Sequence, residues 1–102
     1  MKALFVCNNG HNRSMTAARV FGTDFQTRAK GLYTEFPVTS QDVQWADLIF
    51  VMEQRHKDDL LRKFPEAARK RVFLLNIPDA YTRDQPELTK LLKRKIAELN
   101  LK

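Results

Sequence analysis

The sequence has one cysteine among its 102 residues, so no disulfide bond can form within the chain. A lone thiol is typical of proteins kept in a reducing compartment, and we expect a cytoplasmic protein. No apolar run approaches the ~20 residues that cross a membrane, and the apolar start is too short for a signal peptide. The two histidines lie far apart, and there is no second thiol. Because structural zinc needs closely spaced ligands, we expect no metal ion and no organic cofactor.

Internal repeats, low-complexity segments and linkers are also missing, which favours a single domain over residues 1–102. Apolar residues make up 43% of the chain, enough for a core. Lysine and arginine total 18 against 12 aspartate and glutamate, which gives a net charge of +6. This excess favours anionic partners such as phosphorylated proteins, nucleotides or nucleic acid, without choosing among them. At this size we expect a monomer, with no membrane partner.

Apolar runs and helix-like stretches alternate four times along the chain. Strands are predicted at 2–6, 25–29, 48–52 and 72–75, and helices at 14–22, 40–46, 53–64 and 86–99. Ser14 is the predicted cap of the first helix, and residues 30–33 form a predicted turn. Alternation of this kind is typical of parallel sheets. The predicted fold is therefore α/β, a three-layer, four-stranded parallel sheet with helices on both faces.

The stretch after the first strand has the composition of an anion-binding loop. Cys7 ends the apolar run, Arg13 and Ser14 lead into the first helix, and between them lie Asn8, Asn9, Gly10, His11 and Asn12. Backbone amides in such a loop point inward, and the helix N-terminus adds partial positive charge. The Arg13 side chain can hold two phosphate oxygens at once. These groups would stabilise a Cys7 thiolate, although a lone cysteine without such surroundings is more often a buried apolar side chain.

Asp79 lies in the loop after the last predicted strand. Loops that follow parallel strands gather at one edge of the sheet, so the topology brings Asp79 to the edge that carries Cys7. Many loop aspartates only form turns, but beside a reactive cysteine this one can act as a general acid. The predicted chemistry is phosphoryl transfer, in which Cys7 attacks phosphorus, Asp79 protonates the leaving alcohol and Arg13 binds the phosphate oxygens. Ser14 is predicted to donate its hydroxyl to the cysteine sulfur.

Three segments together resemble the low-molecular-weight protein tyrosine phosphatases. Residues 7–14 have that family's cysteine, five intervening residues, arginine and serine, directly after the first strand. Residues 45–52 resemble its "ADLI-x-x-M" strand. Asp79-Ala80-Tyr81 stands where the family has Asp-Pro-Tyr with the catalytic acid. The resemblance implies hydrolysis of phosphate monoesters, phosphotyrosine above all.

By the same matching, Cys7 is the nucleophile, Arg13 the phosphate clamp, Ser14 the thiolate partner and Asp79 the general acid. Tyr81 matches a residue that helps to wall the family's substrate cleft, and Tyr33 is the counterpart of its aromatic wall. The order Asn9-Gly10 reverses the family's usual Gly-Asn at these loop positions. The family's Asn commonly takes the left-handed conformation, which Gly10 can adopt more easily still.

Two other functions fit parts of the pattern. Arsenate reductases share this loop, but a chain with Cys7 alone needs an external thiol to resolve the arsenic adduct. A non-catalytic module that binds phosphate or RNA is the second alternative, suggested by a basic run near the C-terminus. That run consists of Lys90, Lys93, Arg94, Lys95 and Lys102 against Glu98 alone. Such runs are usually solvated helix faces, and a mere binder needs no general acid.

Overall fold

The computed structural model of the chain describes residues 1–101, so Lys102 of the predicted basic run lies outside the described residues. The strands are β1 (Lys2–Cys7), β2 (Gln26–Gly31), β3 (Leu48–Val51) and β4 (Arg71–Leu74). The α-helices are α1 (Arg13–Val20), α2 (Ser40–Trp45), α3 (Gln54–Lys63) and α4 (Pro86–Glu98). A 3-10 helix, Pro65–Arg69, follows α3 and was not predicted.

The four strands form one parallel sheet in the order β2-β1-β3-β4. The central pair, β1 and β3, is almost entirely apolar because both of its faces are covered. Strand β2 mixes exposed and half-buried residues, as expected of an edge strand. Its pairing with β1 continues to Gly31, opposite Cys7, so the predicted turn at residues 30–33 begins two residues too early.

Helices pack on both faces of the sheet. Phe5, Phe50 and Phe73 lie side by side in register, with ring centroids 5.0 and 5.5 Å apart, in the layer that also contains the buried Leu88 and Leu92 of α4. On the other face, apolar residues of β1 and β3 pack with the buried residues of α2 and α3, among them Val43 and Leu60. The prediction of a three-layer α/β fold is therefore confirmed.

The start of α1 differs from the prediction in a way that matters for the site. Ser14 does not cap the helix, because α1 already begins at Arg13 and Ser14 is fully buried within its first turn. Asn12 occupies the cap position and makes no side-chain capping hydrogen bond. By contrast, Thr39 caps α2 through a capping box with Asp42. The first turn of α1 therefore has backbone amides that no capping side chain occupies.

No helix among residues 1–101 combines the length and the hydropathy needed to cross a lipid bilayer. Parallel strands send the loops after β1, β3 and β4 to the same edge of the sheet, and the candidate site lies there.

Candidate active site

A small cavity of about 30 Å³ lies at the carboxyl edge of the sheet, between the loop after β1 and the loop after β4. Its volume is below the roughly 300–1,000 Å³ of most small-molecule pockets, so it suits one small group rather than a large cofactor. The lining residues are Cys7, Asn8, Asn9, His11, Asn12, Arg13 and Asp79. Cys7 and Asp79, which lie 72 positions apart in the chain, therefore line the same cavity.

The loop presents hydrogen-bond donors around the Cys7 sulfur. The amide of Gly10 donates to Cys7 Sγ at 3.1 Å. Within residues 1–101, the backbone amides of residues 11–14 donate no hydrogen bond to another protein group. Unpaired amides at a helix N-terminus favour an anion, because they supply both donors and partial positive charge. The loop can therefore receive an anionic group directly beside the sulfur.

Two glycines let this loop lie close to the edge strand. Gly10 has a φ of +75°, in the left-handed region that a glycine can adopt easily. A Cβ on Gly10 would lie 2.9 Å from the backbone nitrogen of Gly31, and a Cβ on Gly31 would lie 2.5 Å from the backbone of Asn9. Because both contacts are with backbone, neither can relax by moving a flexible side chain.

Arg13 is 1% exposed, and its side chain is held from one side. Its Nη1 donates to Glu53 Oε2 at 2.6 Å and to the carbonyl of Ile77 at 2.7 Å. Its Nη2 lies 3.9 Å from Asp79 Oδ1. Burial alone raises the pKa of Glu53, but hydrogen bonds and charges from Arg13 and Arg55 outweigh that effect and lower it below the ordinary value. Glu53 is therefore an anionic anchor that orients Arg13.

Asp79 belongs to a loop that is tied to the rest of the site. Asp79 Oδ2 accepts a hydrogen bond from Asn8 Nδ2 at 3.2 Å, while its side chain remains 55% exposed. Further along the loop, Arg83 Nε donates to the carbonyl of His11 at 2.7 Å. The amide of Asp84 donates to Thr16 Oγ1 of α1 at 2.8 Å. These contacts hold the aspartate loop over the anion-binding loop.

His56, in the first turn of α3, is fully buried behind the cavity. Its Nδ1 accepts from the amide of Glu53 at 3.1 Å, and its Nε2 lies 2.6 Å from Asn8 Oδ1. Burial first, and then the positive charge of Arg13, lower the pKa of His56 to about 4. His56 is therefore neutral near pH 7.

Four predicted site residues are not part of the cavity lining: Gly10, whose amide bonds the Cys7 sulfur, and Ser14, Tyr33 and Tyr81. Ser14 Oγ is buried without a hydrogen-bond partner among residues 1–101, so the predicted bond to Cys7 is not formed. Tyr33 is 45% exposed, its hydroxyl donates to Asp59, and its amide donates to the Asn8 carbonyl. Tyr81 is half-buried and packs against the apolar layer next to α1 and α4.

Glu53 and His56 were given no role in the site from the sequence, although a signal for them existed. Glu53 directly follows the apolar stretch of β3, so the topology sends it to the same edge as Cys7. His56 stands three residues later, the spacing at which a side chain can bond back to a helix start. Among residues 1–101, no three metal-ligating side chains converge on one point.

Solved structures with the same fold are found for almost the whole chain. The tyrosine phosphatase AmsI from Erwinia amylovora is 20% identical, with a TM-score of 0.79 over 97% of this chain and 91% of its own. A low molecular weight protein tyrosine phosphatase from Bacillus subtilis is 21% identical, with a TM-score of 0.73 over 96% and 95%. A C7S mutant of the YwlE arginine phosphatase, with a phosphorylated active-site serine, is 20% identical, with a TM-score of 0.75 over 97% and 95%.

No protein-family model matches the chain, and no curated protein matches its sequence. At the identities found, the structural likeness establishes the fold. The chain has the fold of the low molecular weight protein tyrosine phosphatases, as the sequence motifs predicted.

Proposed function

We propose that this protein is a cysteine-dependent phosphomonoester hydrolase of the low-molecular-weight protein tyrosine phosphatase family. The observation that carries the proposal is the shared cavity, in which the Cys7 sulfur, the free amides of residues 11–14, the buried Arg13 and the Asp79 carboxyl surround one small space. A sulfur nucleophile, donors for three phosphate oxygens and a carboxyl group are the parts that this reaction needs. The structural neighbours, tyrosine and arginine phosphatases, agree with this proposal.

The reaction proceeds in two displacements. In the first, the Cys7 thiolate attacks phosphorus and the P–O bond to the substrate breaks, while protonated Asp79 gives its proton to the departing oxygen. The products are a free alcohol and a cysteinyl phosphate. In the second, water attacks phosphorus, the Asp79 carboxylate takes a proton from that water, and the S–P bond breaks. Inorganic phosphate leaves, and the Cys7 thiolate and protonated Asp79 are restored.

The negative charge that spreads over the phosphate oxygens is met by groups fixed before the reaction starts. Arg13 Nη1 is engaged by Glu53 and Ile77, which leaves Nη2 on the side of the cavity that faces Asp79. Donors held in place in this way cost no reorganisation when charge develops. The orphan hydroxyl of Ser14, one residue beyond Arg13, remains available for the proposed role as thiolate partner.

Hydrolysis of p-nitrophenyl phosphate by the reduced protein at about pH 5–7 tests the proposal. Cys7→Ser should abolish turnover. Asp79→Asn should lower kcat/KM about 10²–10⁴-fold, the usual contribution of general acid catalysis. Asp24→Asn is the matched control, because Asp24 is exposed and distant from the cavity, and it should behave as wild type.

The phosphatase assay, together with assays of RNA binding and arsenate reduction, separates the alternatives. Turnover that survives in Cys7→Ser, or wild type that releases no phosphate with Cys7 verified as reduced, contradicts the proposal. Salt-sensitive RNA binding without turnover would favour the binding module, and arsenate reduction that depends on added thiol would favour the reductase. Because both tyrosine and arginine phosphatases share the fold, phosphotyrosine and phosphoarginine peptides should be compared at equal concentration. Phosphotyrosine is the substrate that the sequence motifs favour.

A further inference from the structure

We propose that Asn8 is a positioning residue for Asp79. Its side-chain amide, oriented by His56 and Arg55, donates to Asp79 Oδ2, so that the other oxygen, Oδ1, carries the proton given to the leaving group. This inference rests on the proposed function, because it concerns the step in which the substrate's oxygen departs. It adds a chain of three side chains, from His56 through Asn8 to Asp79, that the loop motif does not contain.

The direction of every hydrogen bond in this chain follows from one backbone group. The amide of Glu53 can only donate, so His56 Nδ1, at 3.1 Å, must accept. A neutral imidazole has one N–H, which therefore lies on Nε2 and donates to Asn8 Oδ1 at 2.6 Å. Arg55 Nη2 donates to the same oxygen at 2.9 Å. With its oxygen held by two donors, the Asn8 amide must turn its NH₂ group toward Asp79.

Asn8 is itself well fixed. Its backbone carbonyl accepts from the amides of Leu32 at 3.0 Å and Tyr33 at 2.9 Å, and it directly follows Cys7 in the chain. Asp79, by contrast, lies in a loop and its side chain is 55% exposed. Among residues 1–101, the Asn8 amide is its only hydrogen-bond donor, since Arg13 Nη2 is 3.9 Å away. A rigid residue beside the nucleophile therefore orients a carboxyl that would otherwise rotate freely.

This contact also assigns the proton. An NH₂ group cannot accept a hydrogen bond in this geometry, so Oδ2 must act as the acceptor and cannot present an O–H toward Asn8. When Asp79 is protonated, the proton lies on Oδ1, the oxygen on the Arg13 side. Because Arg13 binds the phosphate in the proposed mechanism, Oδ1 faces the place where the leaving oxygen departs. Loss of Asn8 should therefore impair proton donation and leave anion binding intact.

The test compares two substrates that differ in their need for a proton. Phenolate is a much poorer leaving group than p-nitrophenolate, so phenyl phosphate depends more strongly on the general acid. Asn8→Ala should lower kcat/KM for phenyl phosphate about tenfold more than for p-nitrophenyl phosphate, about the loss expected for one hydrogen bond. The inhibition constant of inorganic phosphate should not change. Asn8→Leu, which has a similar shape and removes the donor without adding charge, provides a second variant should Asn8→Ala fold poorly.

Two controls separate positioning from a structural role. Asn9→Ala alters the neighbouring asparagine of the same loop, and any loss it causes should be equal for the two substrates. In an Asp79→Asn background, Asn8→Ala should have no further leaving-group-dependent effect, because the residue acts through Asp79. Equal losses on both substrates, or an effect that persists without Asp79, would overturn the inference. Failure of the proposed function looks different, since wild type and Cys7→Ser would then behave alike.

Discussion

The buried His56 should make the fold sensitive to acid over a defined pH window. In the folded protein its pKa is about 4, because burial and then the charge of Arg13 disfavour the protonated ring. Arg55 acts in the same direction, while Glu53 and Asp59 oppose it. In the unfolded chain the ring regains an ordinary pKa of about 6.5. Below about pH 6.5 the unfolded state therefore binds a proton that the folded state does not.

The sign follows from linkage, because protons bound preferentially by the unfolded chain destabilise the fold. The contribution of His56 is complete above about pH 6.5 and declines as the pH falls toward 4. Over the whole window the loss amounts to roughly 3 kcal/mol. Small domains have total stabilities of roughly 5–15 kcal/mol, so this single ring should produce a visible change.

Urea unfolding at intervals between about pH 7.5 and pH 4.5 measures this contribution. His56→Gln removes the titrating group while keeping an amide that can donate to Asn8, and the quantity of interest is its stability difference from wild type at each pH. That difference should shrink by roughly 2.5 kcal/mol as the pH falls to about 4.5. His11→Gln is the matched control, because it makes the same substitution at the other histidine, which is exposed, and any pH dependence that the two variants share does not come from the burial of His56.

A difference between wild type and His56→Gln that does not vary with pH would refute this reasoning. Direct observation of the ring by NMR gives an independent check, because the His56 resonance should titrate well below pH 6. A midpoint near 6.5 would mean that the ring is not buried behind the cavity as described.

Two further predictions concern the support of the anion-binding loop. Gly31→Ala should displace that loop and abolish most of the phosphatase activity, because the added Cβ would lie 2.5 Å from the backbone of Asn9. Gly22→Ala is the control and should retain activity, because its added Cβ has its nearest contact at 3.2 Å. Turnover of p-nitrophenyl phosphate by both variants measures the difference. Glu53→Gln should lower the free energy of unfolding by about 1–3 kcal/mol, because the buried Arg13 loses a charge-assisted partner. Glu98→Gln breaks an exposed pair and should change it by less than about 1 kcal/mol in the same urea assay.

Local patterns in the sequence were enough to predict much of the fold, and also the nucleophile and the general acid of the proposed reaction. The apolar segments around Phe5 and Phe50 predicted the central strands, since only strands covered on both faces are apolar throughout. Only five residues separate Cys7 from Arg13, so this spacing alone brings the sulfur and the guanidinium close together. Asp79 could be assigned to that edge because parallel connections gather loops at one end of a sheet.

Helix starts were less predictable where function competes with capping. Thr39 caps its helix as its residue type favours, because nothing else requires the first amides of α2. Ser14 has the same capping ability but lies inside α1, and the first amides of that helix remain free for an anion. The preference of a side chain for a helix cap position depends only on its residue type. Whether the first amides of a helix are capped or left free depends on what the surrounding loop binds.

The sequence by itself determined the alternation of strands and helices, the parallel sheet and the cysteine loop, because each depends on neighbours a few residues apart. Only the tertiary structure decided the strand order and the partners that hold the site. Arg13 meets Glu53 across 40 positions of chain, and Asn8 meets Asp79 across 71. Such contacts exist only because β1, β3 and β4 are placed next to one another, and no local pattern of residues specifies which side chains then face each other across the cavity.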